Sequence, residues 1–299
     1  MRLMVKRPHK RAQPTGDDLN ITVMDYRAGD GLLLSGFCCF SRRKPTPKRG
    51  ILFVHGTRGN ALVGAGFLGP FLAQSGYMSF CIDKRNSGIN YETSLFDESI
   101  HDLQGGIDAL ATMGMREIIL VGHSLGAIEV AFYMSQRQDP RVRAVVLSGT
   151  PADTSSSTVS SIRTEDGLSK QTVYARLVDD ARALVKVGEA NRPMVIGTTG
   201  DGNYMTISAE SFLSYRGPET NCRAVKWVGS IKVPILLLAH EITHLGVSPS
   251  ESAAIKELIQ GSGRVDMSTV SGADHFYSGR EREAAETVRK WLESIGLPP

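Results

Sequence analysis

Gly122-His123-Ser124-Leu125-Gly126 sets a serine between two glycines at the spacing of a nucleophile turn. The apolar run Ile118-Ile119-Leu120-Val121 leads into it, and residues 125–136 follow with helical patterning. That is the strand–turn–helix setting such a serine needs. A sharp turn forces strained backbone angles on the serine and lifts its hydroxyl clear of the sheet; only glycine lets neighbouring backbone come so close. The N-terminus of the following helix adds partial positive charge where an oxyanion would develop. A glycine-rich turn with an inert serine explains the glycines but not the setting.

A base stands about 150 residues downstream, in Ser271-Gly272-Ala273-Asp274-His275-Phe276, between a strand pattern at 264–269 and the last helix pattern at 281–295. Imidazole is the group best suited to take a hydroxyl proton near neutral pH, which makes His275 the candidate general base. A third segment, Phe53-Val54-His55-Gly56-Thr57-Arg58-Gly59-Asn60, is a glycine-rich loop after a buried strand, able to present backbone N–H groups to an oxyanion. It lacks the spacing and terminal Lys-Ser/Thr of a nucleotide loop. His55 is read as bracing that loop through hydrogen bonds.

These segments need a sheet to hold them. Apolar runs alternate with helical patterns, the signal of a mainly parallel sheet covered by helices. Residues 21–26 and 32–40 read as an opening antiparallel pair joined at Ala28-Gly29-Asp30-Gly31. Strands are expected at 50–54, 77–82, 118–121, 142–147, 234–238 and 264–269, and helices at 62–75, 99–113, 125–136, 250–260 and 281–295. Gly69 and Pro70 are positioned to break the first of those helices. Between residues 150 and 229 the alternation stops, leaving a Ser-rich linker with a low-complexity patch at 155–161, a helix at 170–187, a Gly/Asn/Thr-rich loop at 197–204 and a short helix at 209–215. An interruption of about 80 residues in a regular sheet reads as an inserted cap. The expected organisation is a basic flexible N-terminus (1–18), a core domain (19–149 and 230–299) and a cap (150–229).

Composition narrows the function classes. A net charge of +3, spread evenly, gives no footprint for nucleic acid. Arg2, Lys6, Arg7, Lys10 and Arg11 resemble the start of an export signal, yet Pro14, Gly16, Asp17 and Asp18 follow instead of an apolar run. No segment approaches the ~18 apolar residues of a membrane span. Cys38, Cys39, Cys81 and Cys222 show no C-x-x-C spacing, which speaks against zinc or a redox pair and for free thiols in a reducing cytoplasm.

The order of these motifs resembles that of the α/β-hydrolases. His55-Gly56, then Asp83-Lys84-Arg85-Asn86-Ser87-Gly88 (similar to that family's D-x-R-x-x-G), then Gly122–Gly126 and Gly272–His275 occur in the family's order, and Ile231-Lys232-Val233-Pro234 flows into an apolar strand as is typical there. The resemblance covers most of the chain from Ile21 onward and is weakest in the cap. It implies an eight-stranded sheet, Ser124 as nucleophile, His275 as base, and an oxyanion hole made by the N–H groups of Thr57 and Leu125. Arg85 and Asp83 are expected to pin a loop.

One position departs from the pattern. The family's acid is an Asp in a His-Gly-x-x-Asp-like turn after the strand that follows the cap. Laid on Leu238-Ala239-His240-Glu241-Ile242-Thr243, that turn puts His240 where the Gly belongs and Thr243 where the Asp belongs. Thr cannot supply the charge that orients and stabilises an imidazolium. Glu241 could reach in with its longer side chain; Asp153, after the strand at 142–147, could act from the alternative strand; or a Ser–His dyad could work with water or Thr243. Glu241 is placed first, Asp153 second, and Asp274 last, because neighbouring side chains in a loop diverge.

The expected function is therefore a serine hydrolase that cleaves an ester, thioester or lactone of a small, moderately apolar substrate through an acyl-enzyme, with no metal or organic cofactor. Tyr174, Tyr204, Phe212, Tyr215 and Trp227 of the insertion could line its pocket or simply pack. The alternatives are a non-hydrolytic tailoring enzyme (cyclase, lyase or acyl transfer) and a non-catalytic ligand-binding relative on the same scaffold.

Overall fold

Strands β3 (Arg49–Val54), β4 (Met78–Ile82), β5 (Glu117–His123), β6 (Val142–Ser148) and β9 (Ile235–His240) are the apolar runs of the sequence, buried along almost their whole length. They belong to a computed structural model that describes residues 18–44, 47–62, 64–87, 92–164, 167–199, 204–243 and 247–299. The expected flexible N-terminus, apart from Asp18, lies outside the described residues.

With β1 (Leu19–Arg27), β2 (Leu33–Ser41) and β10 (Val265–Val270), these strands form one eight-stranded sheet in the order β1-β2-β4-β3-β5-β6-β9-β10. β1 and β2 are antiparallel to their neighbours and the rest run parallel, the arrangement expected from the alternating pattern. Helices cover both faces. Ile119 and Val121 pack with α1 (Gly69–Ser75) and α9 (Glu281–Ser294) on one side. Ile118 and Leu120 pack with α2 (Ser99–Thr112) and α3 (Leu125–Arg137) on the other. Successive strand side chains point to opposite faces, so a strand covered twice must be apolar at every position. Each such Leu, Ile or Val contributes about 1.5–3 kcal/mol by leaving water. The helix expected over 62–75 splits at the Gly69-Pro70 step into a 3-10 turn, Gly64–Leu68, and α1.

Between β6 and β9 the chain makes α4 (Thr154–Ser161), α5 (Lys170–Lys186), β7 (Pro193–Gly197), β8 (Tyr204–Ser208), α6 (Ala209–Arg216) and α7 (Ala224–Trp227). β7 and β8 pair as an antiparallel hairpin and share a small apolar cluster with α5 and α6 around Ile196, Ile207 and Phe212. Two expectations change here. The Ser-rich linker is the helix α4, started by Asp153, whose carboxylate accepts from the Ser155 N–H. The residues flanking the loop expected at 197–204 form β7 and β8, with alternating burial, and residues 200–203 lie outside the described residues. The insertion is stitched to the core by backbone: Glu92 N–H donates to Thr206 O (3.3 Å) and Ser208 N–H to Glu92 O (2.8 Å). α8 (Pro249–Glu257) then precedes β10. Among the described residues no helix is long and apolar enough to cross a membrane.

Candidate active site

The turn between β5 and α3 carries Ser124 at φ 55° and ψ −123°, outside the regions an L residue ordinarily occupies. Close packing holds it there. A Cβ on Gly122 would lie 2.4 Å from Gly126 O, one on Gly126 2.2 Å from Val54 O, and one on Gly56 2.8 Å from Ser124 Cβ. The Ser124 N–H donates to Ser148 O of β6 at 2.8 Å. Holding a residue in such a conformation costs about 1–3 kcal/mol, which the surrounding packing must offset. Of the four described non-glycine residues with positive φ, three (Arg58, Ser124 and Tyr277) lie in the three loops that sequence reading singled out.

The His55 loop is set by one proton count. His55 Nδ1 lies 2.8 Å from Gly56 O, which can only accept, so Nδ1 carries the hydrogen. Nε2 then accepts from the Ser87 hydroxyl, which in turn accepts from the Lys84 N–H at 2.6 Å. Burial first, and the nearby Lys84 charge second, hold the His55 pKa well below the ordinary imidazole range, so the ring is neutral. His55 braces the loop, as expected. Thr57 follows as an exposed residue, and Leu125 opens α3, where the first N–H groups of a helix have no intrahelical partner.

His275 is buried against this turn. Its ring centroid is 4.5 Å from that of His123, the residue before Ser124, and a Cβ on Gly149 would come within 3.0 Å of its Cε1. Beneath it runs a hydrogen-bonded chain: His123 Nδ1 to Ser148 Oγ (3.2 Å), Ser148 Oγ to Tyr277 OH (2.9 Å), and Tyr277 OH donating to Leu238 O (2.9 Å). Asp274 turns the loop by accepting from the N–H groups of Phe276 and Ser278. The structure thus brings the Ser124, His55–Thr57 and His275 loops together.

The acids of the sequence reading bond elsewhere. The exposed Glu241 carboxylate accepts from Ser271 Oγ and the Gly272 N–H, bonds that lower its pKa and tie down the loop ahead of His275. Asp153 caps α4 and pairs with Arg223 at 3.3 Å. Thr243 is exposed. The group that meets His275 Nδ1 is His240 Nε2, at 3.0 Å, from the last residue of β9. Sequence reading placed His240 as a misfit in the acid's turn and gave it no part; its place at the end of a strand beside the His275 loop was the available signal.

Around the site, Arg85 pairs with Asp30, Asp102 and Glu98, and Asp83 accepts from the Ala61 N–H; both pin loops. Lys84 and Glu129 form an ion pair in which each side chain is only 1% exposed. Burial outweighs the lysine and raises the Glu129 pKa to about 7. Phe212 and Tyr174 pack inside the insertion, Tyr215 packs on Phe96, Trp227 packs on Phe132, and Tyr204 is exposed. All four cysteines are free and buried, and burial pushes Cys38 and Cys39 up to about 11 and about 12. Among the described residues, no group of three His, Cys, Asp or Glu side chains is arranged to hold a metal ion.

Comparison with known proteins gives a consistent fold. Residues 51–183 match the alpha/beta hydrolase fold family. A non-heme haloperoxidase of Rhodococcus erythropolis is 33% identical over 79 residues, 26% of this chain and only 29% of that relative's length. The esterase domain of a Rhodothermus marinus protein superposes with a TM-score of 0.63 at 18% identity, over 92% of this chain and 98% of that one. Est1E from Butyrivibrio proteoclasticus, with ferulic acid bound, gives 0.66 at 13% identity over 91% and 99%. A hypothetical protein from Pseudomonas aeruginosa gives 0.73 at 15% identity over 98% and 99%. At such identities the likeness is one of fold.

Proposed function

Starting from an α/β-hydrolase fold, we propose that the chain is a serine hydrolase cleaving an ester, thioester or lactone through an acyl-enzyme on Ser124. The observation that carries this reading is the forced backbone of Ser124, at φ 55° and ψ −123°, in the turn between β5 and α3. Strain of this kind persists where it presents a side chain for use. Ser124 Oγ attacks the acyl carbon while His275 Nε2 takes its proton; the oxyanion accepts from the N–H groups of Thr57 and Leu125. Collapse expels the alcohol or thiol, which takes the proton back from His275, and water repeats the sequence to free the acid. The insertion between β6 and β9 acts as a cap that shapes the acyl or alcohol pocket. The esterase domain of the Rhodothermus marinus protein shares this fold, in keeping with the reading.

The test is covalent labelling. A fluorophosphonate should modify the protein once, on Ser124, with modification absent in Ser124→Ala, and p-nitrophenyl esters of graded chain length should be turned over by the unmodified protein alone. Folded protein that resists the reagent, or labels equally without the Ser124 hydroxyl, refutes the proposal.

A further inference from the structure

A serine–histidine pair needs a group that holds the imidazole in the correct tautomer, and β9 offers one. We propose that His240 is that positioning residue, so that the hydrogen-bonded chain runs Ser124–His275–His240; this rests on the serine-hydrolase reading above.

The hydrogen bonds of the two rings fix which nitrogens carry hydrogen. His240 Nδ1 lies 2.7 Å from Ile242 O. A carbonyl oxygen only accepts, so Nδ1 carries the hydrogen, and in the neutral ring Nε2 is then a bare acceptor. That acceptor sits 3.0 Å from His275 Nδ1. With His240 neutral, the hydrogen between the two nitrogens belongs to His275. Neutral His275 is thereby fixed as Nδ1–H with Nε2 unprotonated, the form that can take a hydroxyl proton. An aspartate would dictate the same tautomer. His240 is 1% exposed, and the Ile242 N–H donates to Ala273 O at 2.9 Å, so the loop that orients His240 is also tied to the loop that carries His275.

The chemistry balances without a carboxylate. As the Ser124 O–H bond breaks and the Oγ–C bond forms, the proton moves to His275 Nε2. The imidazolium donates its Nδ1–H to His240 Nε2, a hydrogen bond that steadies the charge while the proton stays on His275. When the leaving group departs it takes the proton from His275 Nε2, and both rings return to their starting state. A neutral acceptor supplies orientation and one hydrogen bond but no ion-pair attraction, so this chain stabilises the imidazolium less than a carboxylate does.

Two variants of similar shape separate this role from packing. His240→Gln keeps an acceptor, its Oε1, for the His275 N–H; His240→Phe keeps the ring but has no acceptor. His240→Phe should lower kcat and the fluorophosphonate labelling rate by about 10²–10⁴-fold with KM little changed, while His240→Gln stays within about tenfold of the unaltered protein. Equal losses in both variants, or none in His240→Phe, overturn the proposal. If the unaltered protein is not labelled at Ser124, the hydrolase reading fails first; if it is labelled and His240→Phe labels as fast, only the role of His240 fails. Should His240→Phe not fold, imidazole nitrogen chemical shifts of the unaltered protein decide: His275 protonated at Nδ1 and bare at Nε2 supports the chain, and the reverse tautomer ends it.

Discussion

Gly126→Ala should damage the site through backbone alone. The added Cβ would stand 2.2 Å from Val54 O and 2.6 Å from His55 O, whereas ordinary contact begins at 3.4 Å. Neither neighbour is a side chain that can swing away. The start of α3 and the end of β3 must therefore part by about 1 Å, the shortfall at Val54 O. Those two elements carry Leu125 and the Gly56–Thr57 loop, so the separation opens the distance between the two N–H groups assigned to the oxyanion. A misplacement of about 1 Å is worth about 10²-fold in rate. Overpacking adds about 1–3 kcal/mol of destabilisation, or roughly 2–5 °C in Tm for a chain of this size. Initial rates on a p-nitrophenyl ester and a thermal melt would measure both. Gly263→Ala is the control, because a Cβ there meets nothing within 4 Å. Gly126→Ala with the rate and melting temperature of Gly263→Ala would refute the reasoning.

Two further predictions concern stability. Lys84→Met or Glu129→Leu alone should cost about 3–5 kcal/mol in urea unfolding, and the double variant should recover most or all of it; additive losses would show that the buried pair does not act as a unit. The Glu129 carboxyl, raised to about 7 from 4.5, binds its proton more tightly in the folded state, so its contribution is fully present below about 4.5 and is lost as pH rises through about 7. The stability of the double variant relative to the unaltered protein should thus rise as pH goes from about 4.5 to 8, and a flat difference would contradict the assigned cause. Asp153→Ala should cost about 0.5–2 kcal/mol by uncapping α4 and leave ester turnover within about tenfold; a larger rate loss with an unchanged melt would return Asp153 to the acid's place.

The sheet was legible because it is covered twice. Residues 51–54, 118–121 and 235–238 are covered on both faces and apolar at every position. The meeting of the Ser124, His275 and His55 loops was legible because each follows the carboxyl end of a strand, and parallel strands bring those ends to one edge of the sheet. The insertion was less so. In α4, Thr154, Ser155 and Thr158 are buried polar residues held by an aspartate cap, which leaves no apolar stripe to detect. β7 and β8 are five residues each, too short for their alternation to stand out. His240 escaped notice for another reason: its meeting with His275, 35 positions away, depends on the β9–β10 register and on one backbone bond between their loops. Charge pointed to Glu241 and Asp153, but backbone N–H groups already occupy both carboxylates.

The seam at Glu92 uses main-chain atoms on both sides, joining it to Thr206 and Ser208. Amide and carbonyl groups are present whatever side chain a position bears. The exposed hairpin positions Val195 and Tyr204 can therefore be exchanged while this attachment persists, so the outer surface of the hairpin tolerates variation that its seam does not register.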